Sequence, residues 1–215
     1  MSAPFLLFDL DGTLSDPQQG IARSINHALD SVGQPLHDEA ALTRYIGPPL
    51  SESFRELVPG ADEATVQALL GAYRQRYGAI GYAENTLYAG VPEALAALAD
   101  AGATLVLCTS KRVDFAEQIL QLFGLRAHFA WLSGGRDGLH KWQQLGELRA
   151  AGRVPDHAVM IGDRAVDLIA ARRNGLAGGA VRWGHGSEDE LAAESPTHWF
   201  DQPADWLRLV ADSRP

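Results

Sequence analysis

Lysine is nearly missing from this 215-residue chain: of 18 basic residues, 16 are arginine, and only Lys111 and Lys141 are lysine. Where the chain needs a generic positive charge it uses arginine, so each lysine invites a specific explanation. Cysteine is scarcer still, a single Cys108, which excludes an internal disulfide. It lies inside the apolar run TLVLCTS and reads as a small buried apolar residue. No apolar stretch approaches the roughly 20 residues that span a bilayer, and the FLLF start is too short, and lacks the basic flank, for a secretory signal. No membrane partner is expected, and the location expected is cytoplasmic. Positive charge is in deficit too. A net charge of −9 and a pI near 5.2 leave no basic face for a phosphate backbone, so no nucleic acid partner is expected.

What is present is ordinary for a globular protein: 46% apolar and 21% charged residues. The length suits one sizeable domain or one domain carrying an insert, and monomer and homodimer both stay open. Four short runs rich in β-branched or aromatic residues read as buried strands: FLLFDL (5–10), TLVLCTS (104–110), AVMIGD (158–163) and GGAVRW (178–183), with FAWLSG (129–134) as a weaker fifth. Between them VPEALAALADAG, VDFAEQILQLFG and AVDLIAARRNG have helical spacing and end on glycine. Strands that are apolar throughout and alternate with helices predict an α/β fold, a doubly wound parallel sheet covered on both faces.

Residues 17–85 break this rhythm. GIARSINHALDSVG, DEAALTRYIG, LSESFREL and ADEATVQALLGAYRQRYG are all helical in pattern with no strand between them. This predicts an all-helical insert at 17–85 in a core made of 1–16 and 86–215. Its borders, SDPQQG and GYAENTLYAGVP, carry hinge residues. The closing PADWLRLVAD reads as a surface helix on the sheet edge.

Ligands of a doubly wound sheet bind at the carboxyl ends of its strands. There the chain places Asp9 and Asp11 after the first run, Thr109 and Ser110 after the second, and Asp163 with Asp167 four residues on after the third. Lys141 sits between the last two. Taken singly each has a structural reading: DLDGT as a turn, TS or GDRAVD as a helix cap, Lys141 as a solvated charge. None of these explains four carboxylates, a hydroxyl and a lysine in this order at successive strand ends. Asp9 and Asp11 share one face of a strand and repel unless a cation or an anion-handling reaction uses them.

The chain resembles the haloacid dehalogenase-like hydrolase superfamily, in particular its phosphoglycolate phosphatase-like branch with a helical cap. The likeness rests on DLDGT (9–13), CTSK (108–111), HKWQQ (140–144) and GDRAVD (162–167), with YIGPPLSESF (45–54) inside the insert and LYAGVPEALAAL (87–98) at the re-entry into the core. It implies a Rossmann-like core, a helical cap domain at 17–85, and a phosphatase that hydrolyses a small-molecule phosphate monoester, 2-phosphoglycolate among the candidates. It further implies Asp9 as the nucleophile forming an aspartyl-phosphate and Asp11 as general acid and then base. Mg2+ is the implied cofactor, held by Asp9, Asp163 and the Asp11 carbonyl. Lys141 and Thr109 would stabilise the phosphoryl group, Ser110 and the backbone of Leu10, Gly12 and Thr13 would complete the phosphate site, and Asp167 would hold Lys141 or the outer metal shell. Arg23, Tyr45, Gly47 and Pro48 are candidates for substrate selection from the cap, with Arg23 suited to a substrate carboxylate. Two departures stand out: Ser110 where relatives have Asn, and Trp142 where many have Pro. A phosphotransferase or mutase, and a non-catalytic binding protein, are the rival readings. The absence of lysine from 17–85 disfavours Schiff-base phosphonatase chemistry, and the presence of Asp11 disfavours dehalogenation.

Overall fold

A computed structural model describes residues 3–136 and 138–211. The expected core segments extend to residues 1 and 215, so their extreme ends lie outside the described residues. The chain divides into two compact units, Asp16–Thr86 and the remainder.

The larger unit is built on six parallel strands: β1 (Phe5–Phe8), β4 (Thr104–Cys108), β5 (Trp131–Ser133), β6 (Val159–Gly162), β7 (Ala177–Val181) and β8 (His198–Phe200). Their order is β5-β4-β1-β6-β7-β8. The apolar runs become strands because both faces of the sheet are covered; Leu6, Leu7 and Phe8 of β1 and all of β6 are buried. Helices α4 (Val91–Asp100), α5 (Val113–Leu122), α6 (Lys141–Ala150) and α7 (Ala165–Arg173) supply the crossovers, with the short α8 (Glu188–Ala193) after β7. The apolar layer of α6 and α7 meets the sheet through Leu145, Ala170 and Ala171 against Leu7, Val106 and Met160. β1 pairs with β4 on one side and β6 on the other. The connection reverses direction there, and an open α/β sheet has its ligand crevice at such a switch point.

Two short strands, β2 (Ser15–Asp16) and β3 (Thr86–Leu87), pair where the chain passes between the units. Neither they nor β8 are legible in the sequence, being two or three residues long. The end of the chain corrects its sequence reading. It forms a 3-10 turn over Pro203–Leu207 and a brief α9 (Arg208–Ala211). Trp206 is fully buried rather than on the surface, its ring 4.9 Å from that of Phe8 on the central strand. One large aromatic outweighs the polar residues around it. No helix among the described residues is long and apolar enough to cross a membrane.

The smaller unit holds α1 (Gln18–Ser31), α2 (Leu50–Leu57) and α3 (Glu63–Ala79). Ile21, Ile25 and Leu29 of α1 and Val66, Leu69, Leu70, Tyr73 and Tyr77 of α3 are buried. Asp62 caps α3, its side chain accepting from the Thr65 amide. The expected helix at DEAALTRYIG is only a 3-10 turn over Ala40–Tyr45. Extended Ile46, Gly47 at φ +103° and two prolines follow at once and leave no length for an α-helix.

Two helical glycines have opposite consequences. A Cβ on Gly20 would lie 2.0 Å from the Gly81 carbonyl oxygen, whereas a Cβ on Gly71 meets nothing within 4 Å. Gly20→Ala is therefore expected to destabilise by about 1–3 kcal/mol through overpacking. Gly71→Ala should stabilise by roughly 0.5–1 kcal/mol through helix propensity. Urea unfolding of the two variants checks the sign reversal.

Candidate active site

The site lies in the larger unit, at the carboxyl ends of β1, β4 and β6. Asp9 follows β1 directly, its amide donating to Ile161 of β6 at 2.9 Å. The chain then turns sharply: Gly12 N donates to Ser15 O at 2.8 Å and Thr13 N to Leu10 O at 3.2 Å. Gly12 has φ +80°, and a Cβ there would lie 2.1 Å from Asp163 Oδ2, so both conformation and space require glycine. The amides of Gly12 and Thr13 are thus spent on the turn, which differs from their expected part in a phosphate cradle. The amides of Leu10 and Asp11 take no part in that turn and are the better candidates.

Asp9, Asp163 and Asp167 are buried, each offering a carboxylate oxygen within 4.8 Å of the others. Lys141, at the first position of α6, lies 2.9 Å from Asp9 Oδ1 and also binds Asp167 Oδ1. The other Asp167 oxygen accepts from the Arg164 amide at 3.1 Å, so Asp167 is held as the anchor of Lys141. Asp163 accepts from Thr13 Oγ1 at 3.1 Å and from the His185 amide at 2.9 Å. Asp11, outside that cluster, is paired differently. Lys111 Nζ sits 2.8 Å from Asp11 Oδ2, while Asp11 Oδ1 is buried with no hydrogen-bond donor. The chain's two lysines therefore each hold one aspartate of DLDGT.

Burial raises the carboxyls of Asp11, Asp163 and Asp167 above the ordinary range, and neighbouring carboxylates add to it. Lys111 opposes the rise at Asp11 and Lys141 opposes it at Asp167. Burial would lower the Lys141 ammonium, but Asp167 and Asp9 outweigh it and hold it protonated. Cys108 ends β4 beside this cluster; burial pushes its thiol up to about 12, which leaves it protonated and unreactive.

Four carboxylates face two ammonium groups, an excess of negative charge built from hard oxygen donors. Within that set the buried carboxylates of Asp9, Asp163 and Asp167 fit a small divalent cation such as Mg2+. Thr109 is buried at the end of β4, and its Oγ1 accepts from the Lys111 amide at 3.2 Å, leaving its own proton to donate. Ser110 beside it is exposed.

The loop Trp183–Gly186 also belongs to the site. Trp183 Nε1 donates to Thr13 O at 3.1 Å. A Cβ on Gly184 would fall 2.2 Å from Asp163 Cβ, and one on Gly186 would fall 2.0 Å from Asp163 O. The glycines flanking His185 let this backbone lie against Asp163, and the pattern WGHG was the signal available in the sequence. For Lys111 the signal was the scarcity of lysine, which names no partner. Trp142 packs on the core cluster, with the Arg173 guanidinium 4.7 Å from its ring centre.

The residues expected to select substrate lie in the smaller unit. Arg23 is paired with Glu39 and Glu84, each at 3.0 Å. Tyr45 is half-buried under the Arg44 guanidinium, 5.2 Å from the ring centre, and Arg44 binds Glu56. Gly47 and Pro48 are half-buried beside it.

A sequence profile described as haloacid dehalogenase-like hydrolase matches residues 6–181. The chain belongs to this family. Over 98% of its length the hydrolase is 44% identical to a 5'-nucleotidase of Pseudomonas aeruginosa, covering 96% of that protein. It is 38% identical to the tyrosine-protein kinase PtkA of Mycobacterium tuberculosis over 91% of its own length and 68% of the relative's. Phosphoglycolate phosphatases match less closely, that of Agrobacterium fabrum at 30% identity over 85% of this chain and 82% of its own. Among solved structures, a predicted phosphatase from Clostridium acetobutylicum superposes with a TM-score of 0.89 at 32% identity, covering 99% of this chain and all of that one.

Proposed function

We propose that this hydrolase is a Mg2+-dependent phosphatase that hydrolyses a small phosphate monoester through an aspartyl-phosphate on Asp9. The observation that carries the reading is the paired arrangement of DLDGT. Asp9 lies beside Lys141 and near Asp163, while Asp11, two residues on, is held by Lys111 through one carboxyl oxygen with the other left without a donor. Asp9 attacks phosphorus, and its anionic approach is offset by the Lys141 ammonium. Thr109 donates its hydroxyl to a phosphoryl oxygen, and the Leu10 and Asp11 amides supply further donors. Asp11 gives a proton to the departing alkoxide, then takes one from the water that cleaves the acyl phosphate. Asp9, Asp163 and the Asp11 backbone carbonyl would hold Mg2+, which would supply charge neutralisation on the phosphoryl oxygens. The helical unit 17–85 serves as the cap that excludes water from the first step and selects the substrate.

Nucleoside 5'-monophosphates stand first as substrates and 2-phosphoglycolate second. The 44% identity to a 5'-nucleotidase supports the order. So does Arg23, whose guanidinium is already committed to two glutamates rather than open to a substrate carboxylate. Phosphoryl transfer to an alcohol or a tyrosine is the rival, favoured by the kinase name among the relatives.

The test is a panel of 4-nitrophenyl phosphate, nucleoside 5'-monophosphates and 2-phosphoglycolate with Mg2+, repeated with EDTA. Release of inorganic phosphate that EDTA abolishes is expected, with the nucleotides at least about tenfold ahead in kcat/KM, a difference of about 1.4 kcal/mol in transition-state binding. Phosphate transferred to added alcohol instead of water would favour the rival. Failure to turn over any ester would favour a binding protein and overturn the proposal. Mg2+ at 100 times its Kd should also stabilise the fold by about 2.7 kcal/mol, and Asp163→Asn should lose that shift in thermal midpoint.

A further inference from the structure

The backbone around Lys111 is held unusually closely. Its amide donates to Thr109 Oγ1 at 3.2 Å, and its carbonyl accepts from Gly135 N at 2.8 Å. Two glycines after β5 make that approach possible. A Cβ on Gly134 would lie 2.3 Å from Val113 N, and one on Gly135 would lie 2.1 Å from Ser110 O. The register Phe8↔Leu107 between β1 and β4 carries Asp11 to the same level as this segment. The Lys111 side chain then crosses to Asp11 Oδ2 at 2.8 Å, with only 7% of its surface exposed.

We propose that Lys111 is a positioning residue for Asp11: by binding Oδ2 it fixes the carboxyl so that Oδ1 faces the leaving oxygen of the ester. The inference rests on the reading of Asp11 as the proton-transfer group. In the first step the Asp9 oxygen bonds to phosphorus, the bond to the ester oxygen breaks with its electron pair, and the Asp11 proton goes to that oxygen. In the second, water attacks the phosphorus of the acyl phosphate, its proton returns to Asp11, and inorganic phosphate leaves Asp9 free. Lys111 gains and loses nothing in either step. It acts by geometry, and a misplacement of about 1 Å at such a group costs on the order of 10²-fold in rate.

Two esters of similar shape separate this role from phosphate binding. 4-Nitrophenolate departs without a proton, whereas phenolate departs far better with one. Lys111→Met is expected to lower kcat on phenyl phosphate at least about tenfold, a fraction of the 10²–10⁴ that general acids contribute, with less than about a threefold loss on 4-nitrophenyl phosphate and KM unchanged on both. Lys111→Arg, which keeps a cation at Asp11, should recover most of the phenyl phosphate rate. In an Asp11→Asn background Lys111→Met should change the ratio of the two rates no further. Equal losses on both esters, a rise in KM, or no change at all would overturn the proposal. If Lys111→Met does not fold, Lys111→Gln carries the same comparison. Should the unmodified protein turn over neither ester, the phosphatase reading falls. The positioning role is then read from the crystal structure of Lys111→Met, where an Asp11 carboxyl that has not moved would overturn it.

Discussion

Asp9→Asn leaves a folded protein whose turnover of 4-nitrophenyl phosphate falls by on the order of 10⁴-fold or more, the scale on which nucleophile deletions act in covalent catalysis. Asparagine keeps the shape of the side chain, so the turn after β1 and the amide bond to Ile161 O persist. What it lacks is the anionic oxygen that attacks phosphorus, since an amide oxygen is a poor nucleophile. Lys141 loses one of its two carboxylates but keeps Asp167. The fold is therefore expected to survive, and circular dichroism checks it. Acid-quenched wild-type protein, stopped during turnover, should carry phosphate on the peptide containing Asp9, and the variant should carry none. Retention of more than a few per cent of the rate would remove Asp9 from the role.

Lys141→Met has the second large effect, on stability as well as rate. Lys141 is buried between Asp9 and Asp167, with 2% of its side chain exposed. Breaking a buried pair by removing one partner costs about 3–5 kcal/mol, because it leaves uncompensated charge. The loss depends on pH, with a definite sign. The Asp167 carboxyl is raised by burial and by Asp9, and Lys141 holds that rise in check. Without Lys141 the folded-state value climbs further above the unfolded one, so the folded variant binds protons more readily than the unfolded chain. Its destabilisation is full above the folded-state value and recedes as pH falls toward the unfolded value, near 4 for a carboxyl. Urea unfolding at pH 5 and pH 8 should show the larger deficit at pH 8. Adding Asp167→Asn should restore part of the stability without restoring activity. A deficit independent of pH would mean that Lys141 acts by packing rather than charge.

The strands β1, β4 and β6 were legible because a strand covered on both faces has to be apolar throughout, and FLLF, TLVLC and VMIG are. The chemistry at their ends was legible for the related reason that polar residues there have no structural need of one another. Other parts carried no local signal. β8 is three residues long, and Trp206 looks amphipathic in its own segment until the ring of Phe8, some 200 residues earlier, lies against it. Lys111 and the WGHG loop entered the site through strand register and close backbone approach, which link residues far apart in the chain.

Sequence by itself determined the family, the strand-end carboxylates and the oddity of two lysines among sixteen arginines. Those are properties of residue type and spacing, and they persist whatever the partners are. Only the tertiary structure decided that Lys141 holds Asp9 while Lys111 holds Asp11, that the Gly12 and Thr13 amides are spent on the turn, and that Arg23 is already paired within its own unit. Each of those depends on which chain segments meet, and at what register, once the sheet has formed and water has left the site.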